Sequence, residues 1–432
     1  MIRPALLVTA SLLCSTTCGA LARPVAPPTP ATPVAPFAAA LGELAPAGPF
    51  HVWLEQLPGF TFSPATARLL RQEFGTARLF SVTTGSATPG TRDYTVRVPA
   101  LRHTAARGLT YMWPQMQATF TVQQDDGTII GTGHAPRLSM RHKNRGIVLD
   151  HIAFSSKGRR GASGFFNGDL GGSIDKLTLG SKEDGGPMMI GKLALAASVT
   201  EQAGNLGLRF EGSIGTFRFQ NLKLDDIKIA AHIDNVDAEA IQVFRQMTAS
   251  FSPAESMVAA ARSELMEPLW EALVTRLASK GAVVELENFQ IGYKGNIAHM
   301  HGYYRFENIQ PGDFSNAAIL EKKMVSRVEV RVPLAMARAI NVAVSGKKQK
   351  ALPRGADAAT IASADRAYVS EALLAPIAMG LVRIDGDMLV STVDMRDGIV
   401  LLNGKRMTPP DGEDAQADVA VPAAETVNAK DD

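Results

Sequence analysis

A two-residue rhythm governs the chain between Asp93 and Ile233 and restricts what it can fold into. In "DYTVRV", "ATFTVQ", "GIVLDHIAFSS", "IDKLTLG", "LGLRFEG", "GTFRFQ" and "LKLDDIKIAAHI", apolar and polar side chains alternate. Successive side chains of an extended strand point to opposite faces, so this spacing gives each strand one apolar face and one wet face. Turn residues separate the stretches at short intervals, which predicts successive antiparallel strands. Two stretches look like copies. "GSIDKLTL" from Gly172 and "GSIGTFRF" from Gly212 share an opening and an alternation, suggesting a long meander of similar units.

Helices frame this region. In "FSPATARLLRQEFG", Ser63 is placed as an N-cap, Pro64 sits at the first helical position and Gly75 is the stop. Ser252, Pro253 and Glu255 predict a capping box that opens a second helix. Its leucines at 265, 269, 273 and 277 form one stripe, and Pro268 is expected to kink or divide it. A short helix over "AEAIQVFRQM" precedes it, and the hairpin "AVVELENFQIGYKG"/"NIAHMHGYYRFENI" follows. "SRVEVRV" reads as a strand, and helices are expected over "PLAMARAINVAVSG" and "SADRAYVSEALLAPIAMG". Asp385-Gly386 and Asp397-Gly398 mark turns between the last strands. The expected class is α+β: an extended antiparallel sheet with helices packed on it, a helical insert near 237–280, and an ending of helix plus meander.

Both cysteines, Cys14 and Cys18, fall within the first eighteen residues. Arg3, the apolar run Ala5–Cys14 and the small-x-small site Ala20-Leu21-Ala22 read as a secretory signal. Cleavage after Ala22 would remove both thiols and leave a chain with no disulfide chemistry. The alternative is an uncleaved inner-membrane anchor, since residues 5–22 carry no charge. "PVAPPTPATPVAP" from Pro24 to Pro36 favours an extended polyproline spacer. The organisation expected is a signal peptide at 1–22, a Pro/Ala-rich linker at 23–49, a β-rich region at 50–236, an α+β region at 237–408 and an acidic disordered tail at 409–432. From Asp411 to Asp432 the tail holds seven acids against one lysine, so the body it leaves is mildly basic. Beyond the N-terminus, no run is long and apolar enough for a membrane-spanning helix.

A helix ending in "APIAMGLV" leads into "MLVSTVDMRDGIVLLNGKRM", with its acidic-Gly turn and a last strand closing on Asn403-Gly404-Lys405. This ending, with "VVELENFQIGYKGNIAHMHGYYRF" before it, resembles the YdgA-like family of bacterial envelope proteins of uncharacterised function. The resemblance runs from about Ser252 to Met407. It implies an envelope location and brings no catalytic residues.

Chemistry-bearing residues are sparse. His299 and His301 alternate on a strand, so their imidazoles share one side, with Glu285 and Glu287 on the preceding strand as possible further metal ligands. The same stretch fits a solvent-facing strand surface. Ser163 in "GASGF" lacks the second glycine of a nucleophile elbow, Ser86 has no placed base, and "GTGHAP" lacks the final glycine of a dinucleotide loop. "KGRRGASGFFNGDLGG" sets Arg159 and Arg160 beside Phe165 and Phe166, a combination suited to a membrane surface or an anionic glycan. The competing reading is a turn whose phenylalanines enter the core. No cofactor is expected. The function expected is an exported, periplasmic, non-enzymatic binding or structural protein, with an envelope lipid, an anionic glycan or another envelope protein as partner and nucleic acid excluded by export. A periplasmic hydrolase with a triad drawn from distant residues, or an inner-membrane-anchored structural protein, is the alternative.

Overall fold

The computed structural model describes residues 34–407, apart from 45–49, 86–87, 181–185, 221, 250–258, 311, 314–315, 346–358, 361–362 and 364–373. The signal segment, both cysteines, the capping-box residues 252–255, Ser86, the acidic tail and most of the helix proposed over 363–380 lie outside the described residues.

Three helices open the described chain: α1 (Val34–Leu44), α2 (Phe50–Gln56) and α3 (Pro64–Phe74). The α3 signals act as expected. The Ser63 hydroxyl accepts the Thr66 N–H, Pro64 begins the helix, and Gly75 closes it at φ +73° with its N–H on the Arg71 carbonyl. Helix α1 corrects the linker reading, because it begins at Val34 inside the stretch assigned to a spacer. Pro36 falls in its first turn, where the missing N–H has no intrahelical partner to lose. Ala40 then enters the core beside Leu70, Phe74, Tyr111 and Trp113.

The strands are β1 (Ser81–Gly85), β2 (Thr91–Val98), β3 (Leu101–Thr104), β4 (Leu109–Trp113), β5 (Met116–Gln123), β6 (Ile129–His142), β7 (Arg145–Arg160), β8 (Phe166–Gly180), β9 (Met188–Gln202), β10 (Asn205–Phe219) and β11 (Leu222–Asp237). After α4 (Ala238–Ala249) and α5 (Ala259–Ser279) come β12 (Val283–Tyr293), β13 (Asn296–Phe306), α6 (Ala317–Lys323), β14 (Met324–Pro333), α7 (Leu334–Ser345) and α8 (Leu374–Ala378). The ending is β15 (Arg383–Asp385), β16 (Met388–Arg396), β17 (Ile399–Leu402) and β18 (Lys405–Arg406). Among the described residues, all eighteen strands join one sheet and every pairing is antiparallel. From β6 to β14 each strand pairs with the next in sequence. At one end β5 and β4 share the outer side of β6; at the other, β15 and β17 share the outer side of β16. The sheet therefore continues across residue 237, where the β-rich and α+β regions were divided.

The stretches "LGLRFEG" and "GTFRFQ" are one strand, β10, rather than two. The two copies of the Gly-Ser-Ile opening flank β9 symmetrically, since Leu195 pairs with Gly172 on one side and Gly212 on the other. Helix α5 runs through Pro268 without being divided. The turns at Asp385-Gly386 and Asp397-Gly398 form, with Asp397 and Gly398 both at positive φ. Asn403 does more than turn the chain: its Oδ1 accepts the Thr392 N–H at 2.9 Å and its Nδ2 donates to the Gly380 carbonyl at 2.8 Å.

Strands β6 to β11 run 14 to 16 residues, well beyond the usual five or six. Each changes parity once. In β7 the apolar residues are Ile147 and Leu149, then Ile152 and Phe154. In β9 they are Met188 and Ile190, then Leu193 and Leu195. In β11 they are Leu222 and Leu224, then Ile227 and Ile229. The change falls on one row across the sheet, where His151, Lys192 and Asp226 take φ values of +51°, +54° and +51°. A left-handed residue interrupts the pleat as a bulge does, so the apolar set keeps to one face although its spacing jumps from two to three. The packing agrees. Leu222 and Leu224 gather with Ile291 and Tyr293, which follow Phe289 on β12, and Phe289 is the partner of Ile229. The polar pairs at the crease, Arg137–Asp150 and His151–Asp175, each close to 3.5 Å.

Candidate functional site

The registers build an apolar face from paired rows. Leu138, Leu149, Leu177, Ile190, Phe217 and Leu224 pair in succession on one side of the crease. On the other side, Ile152, Ile174, Leu193, Ile214 and Ile227 form a second complete row. A third row alternates large and absent side chains: Phe154, Gly172, Leu195, Gly212 and Ile229. The opposite face of the same strands carries small residues, as in the row Ala153, Ser173, Ala194 and Ser213.

Among the described residues, helices cover this face only at its ends. The clusters of buried side chains lie under α1–α3 at one end and under α4–α7 at the other. None of them draws on β7 or β8, and from β9 and β10 only Val199, Leu206 and Leu208 take part. Among the described residues, no apolar side chain between Ala135 and Leu206 is buried. Phe154, Leu170, Leu195 and Phe210 are 39%, 46%, 46% and 41% exposed. Their strands are neighbours about 4.8 Å apart, so these four side chains lie together in one apolar patch. Exposed apolar patches on ordinary monomers rarely exceed a few hundred Å².

The glycines shape that surface. The Phe154 ring leans over Gly133, where an added Cβ would lie 2.1 Å from its Cε1. Leu195 and Ile229 lean over Gly212. Gly172 is left open, since an added Cβ there would meet only the Ala153 carbonyl, at 3.7 Å. The result is a slot in the middle of the face, between Phe154 and Leu195.

Arg159, Arg160, Phe165 and Phe166 sit at the tips of the same strands. Arg159 and Arg160 end β7, Phe166 begins β8, and Gly161 to Phe165 form the turn, with Gly164 at φ +81°. Phe165 packs on the α4–α5 cluster, as the turn reading expects, and Phe166 pairs with Arg160. A cleft of about 400 Å³ opens here, lined by Asp126, Arg159, Arg160, Asn167 and Glu201 among others. Arg160 Nε donates to the Gly164 carbonyl at 3.2 Å, and Arg159 lies 3.6 Å from Asp126. Glu201 Oε1 accepts the Ser163 N–H at 2.8 Å, while Glu201 Oε2 and the Ser163 hydroxyl are buried without a partner.

The histidine pair is not joined to the glutamates proposed with it. His299 pairs with Gln290 and Arg331, and His301 pairs with Glu329. Glu329 is buried, and the hydrogen bond from Arg331 holds its carboxyl below the ordinary range despite burial. Glu285 and Glu287 instead reach His232 on the other neighbouring strand. Its Nδ1 is 2.9 Å from Glu287, and its Nε2 lies 3.3 Å from Asp234 and 3.4 Å from Glu285. Arg209 holds the far oxygen of Glu287 at 2.9 Å, so the group is a polar network on the sheet surface, anchored by an Arg–Glu ion pair. Sequence reasoning missed it because β11 and β12 are separated by the α4–α5 insert; the alternation of His232 with Asp234 was the one local sign. Among the described residues, no group of three or more His, Cys, Asp or Glu side chains gathers to hold a metal ion. Among the described residues, the serine hydroxyls that donate hydrogen bonds meet a carboxylate or carbonyls: Ser63 donates to Glu43, Ser139 to the Met112 carbonyl, Ser279 to the Arg276 carbonyl and Ser391 to the Leu381 carbonyl.

A family model described as "Bacterial protein of unknown function (DUF945)" matches residues 60–410. The chain belongs to the DUF945 family. The match begins just ahead of α3 and runs through the last strand, so the uncovered face, α3 and the α4–α7 wing lie within the DUF945 region, while α1 and α2 precede it. No curated protein and no solved structure matches the chain. No described helix of this DUF945 chain is long and apolar enough to cross a membrane.

Proposed function

We propose that this DUF945 chain is an exported, periplasmic, non-enzymatic protein that seats the acyl portion of an envelope lipid on the apolar face of β6–β11. The observation that carries the reading is a run of three long strands, β7–β9, rich in Leu, Ile and Phe, with no buried apolar side chain among the described residues. An acyl chain asks for what this face provides: continuous apolar surface with the polar residues turned to the other side. A protein occupant would bring backbone groups needing partners that such a surface lacks. The N-terminal sequence supports export, and the ending around Asn403-Gly404-Lys405 supports a YdgA-like kinship within the family. The glycan, the protein partner, the hydrolase and the membrane anchor are the competing readings.

The test is to purify the exported chain in gentle conditions, extract it with organic solvent and analyse the extract by mass spectrometry. The reading expects lipid in stoichiometric amount. Repeated absence of lipid, together with failure to take up a fluorescent fatty acyl probe, would overturn it. Intact mass of the same sample reports whether residues 1–22 have been removed, and a chain still starting at Met1 favours the anchor.

A further inference from the structure

We infer that the cleft at the tips of β7–β9 receives the head of the same lipid, and that this head is zwitterionic, a phosphate ester carrying a primary ammonium. The inference rests on the lipid reading above. Its position follows from the registers. Gly158, Gly168 and Val199 make the last row of the apolar face, and Arg160 with Phe166 stands one step further along the strands. A chain lying on the face and running towards those tips therefore ends at the cleft.

The lining selects the head. Arg159 and Arg160 are matched by Asp126 and Glu201, so the cleft combines both signs with no net charge. A purely anionic head would face two carboxylates, and a purely cationic one two guanidiniums. A phosphoethanolamine head meets both sets. The guanidinium donors suit the phosphate: among the described residues Arg160 commits its Nε, to the Gly164 carbonyl, and the Arg159–Asp126 contact is loose at 3.6 Å. Glu201 Oε2, buried at the cleft without a donor, is the acceptor an ammonium would complete.

The experiment uses the full mature chain and three ligands: a headless pyrene-labelled hydrocarbon, and two lysophospholipids with the same acyl chain, one bearing phosphoethanolamine and one phosphoglycerol. Displacement of the hydrocarbon should show the phosphoethanolamine lipid binding about tenfold more tightly. Arg160→Gln and Glu201→Gln should each bring the two lipids close to parity, with hydrocarbon affinity read in parallel. Equal affinities in the parent chain, or a preference for phosphoglycerol, with the hydrocarbon still bound, would overturn the head assignment and leave the acyl reading standing. No binding of the hydrocarbon would overturn both.

Discussion

The wings and the middle of this sheet are made from the same kind of strand and come to different ends. In the wings, apolar residues meet helices: Leu70 and Phe74 of α3 lie on Tyr111 and Trp113, and Met336 of α7 lies on Tyr293 and Ala298. In the middle, side chains of equal hydrophobicity face outward over β7–β10. Hydrophobicity alone therefore does not say which strands form the core; the cover does. The wings serve stability, and the middle keeps its apolar surface for something else.

The largest effect expected from this comparison comes from placing one charge in each region. Val390 on β16 is fully buried, so Val390→Asp strands an unpaired carboxylate and should cost on the order of 4–5 kcal/mol, enough to prevent folding. Leu195→Asp makes the same kind of change on a half-exposed residue. It should alter stability by about 0.5 kcal/mol or less while abolishing retention of the acyl probe. Thermal melts and probe binding on both variants decide it. Unfolding of Leu195→Asp would mean that the middle is a core after all.

The glycines sharpen the contrast within the face itself. Gly133→Leu drives a side chain into the Phe154 ring and should destabilise the fold by about 1–3 kcal/mol. Gly172→Leu fills an open slot on a backbone any residue can adopt. It should leave stability unchanged or raise it by up to ~1 kcal/mol, since glycine is a poor strand former. Its effect should fall on binding, with the probe excluded from the folded chain. Normal probe affinity in Gly172→Leu would remove the slot from the binding surface.

Much of this contrast was legible in the sequence, and the unread part has a common cause. The strand rhythm and the Ser63–Pro64…Gly75 frame are local signals, set by neighbours within four residues, and both formed as expected. The crease was not legible, because a jump from two- to three-residue spacing in one strand looks like noise. It becomes a feature only when six strands are aligned and His151, Lys192 and Asp226 fall on one row. Helix α1 was missed because Pro36 suggests an extended chain unless α3 is there to receive Ala40. Arg159 and Arg160 stood out by composition, but Glu201, which lines the cleft with them, comes from the end of β9. Nonlocal pairing decides such meetings, and one sequence does not display it.

Smaller effects are expected where charges fasten the helices to the wings. Asp237 caps α4, accepting the Glu239 and Ala240 N–H groups at 2.9 and 3.2 Å, and it also accepts Arg276 Nε of α5 at 2.9 Å. Asp237→Ala should therefore cost about 1–2 kcal/mol, measured by denaturant titration. A cost near zero would show that the α4–α5 pair holds to the sheet by apolar contact alone.

The mildest perturbation is acid, and it should act on the wings first. Burial pushes the Asp237 carboxyl up, but the Arg276 and backbone hydrogen bonds outweigh it and hold the group below the ordinary range. Glu43 of α1 is held low by the Ser63 and Thr66 hydroxyls, which tie α1 to the start of α3. Carboxyls lowered in the fold stabilise it above their unfolded values near 3.8 and 4.5. That stabilisation fades as the pH falls through the folded ones. No described helix packs its buried cluster on β7 or β8. Between pH 7 and pH 3, hydrogen exchange should speed up in α1, α3 and α4 before it does in β7 and β8, and Glu43→Gln should blunt the change in α1 and α3 alone. Loss of protection in the middle strands at the same pH would mean that wings and middle unfold as one unit, and that the helices cover the ends without being separable from the sheet.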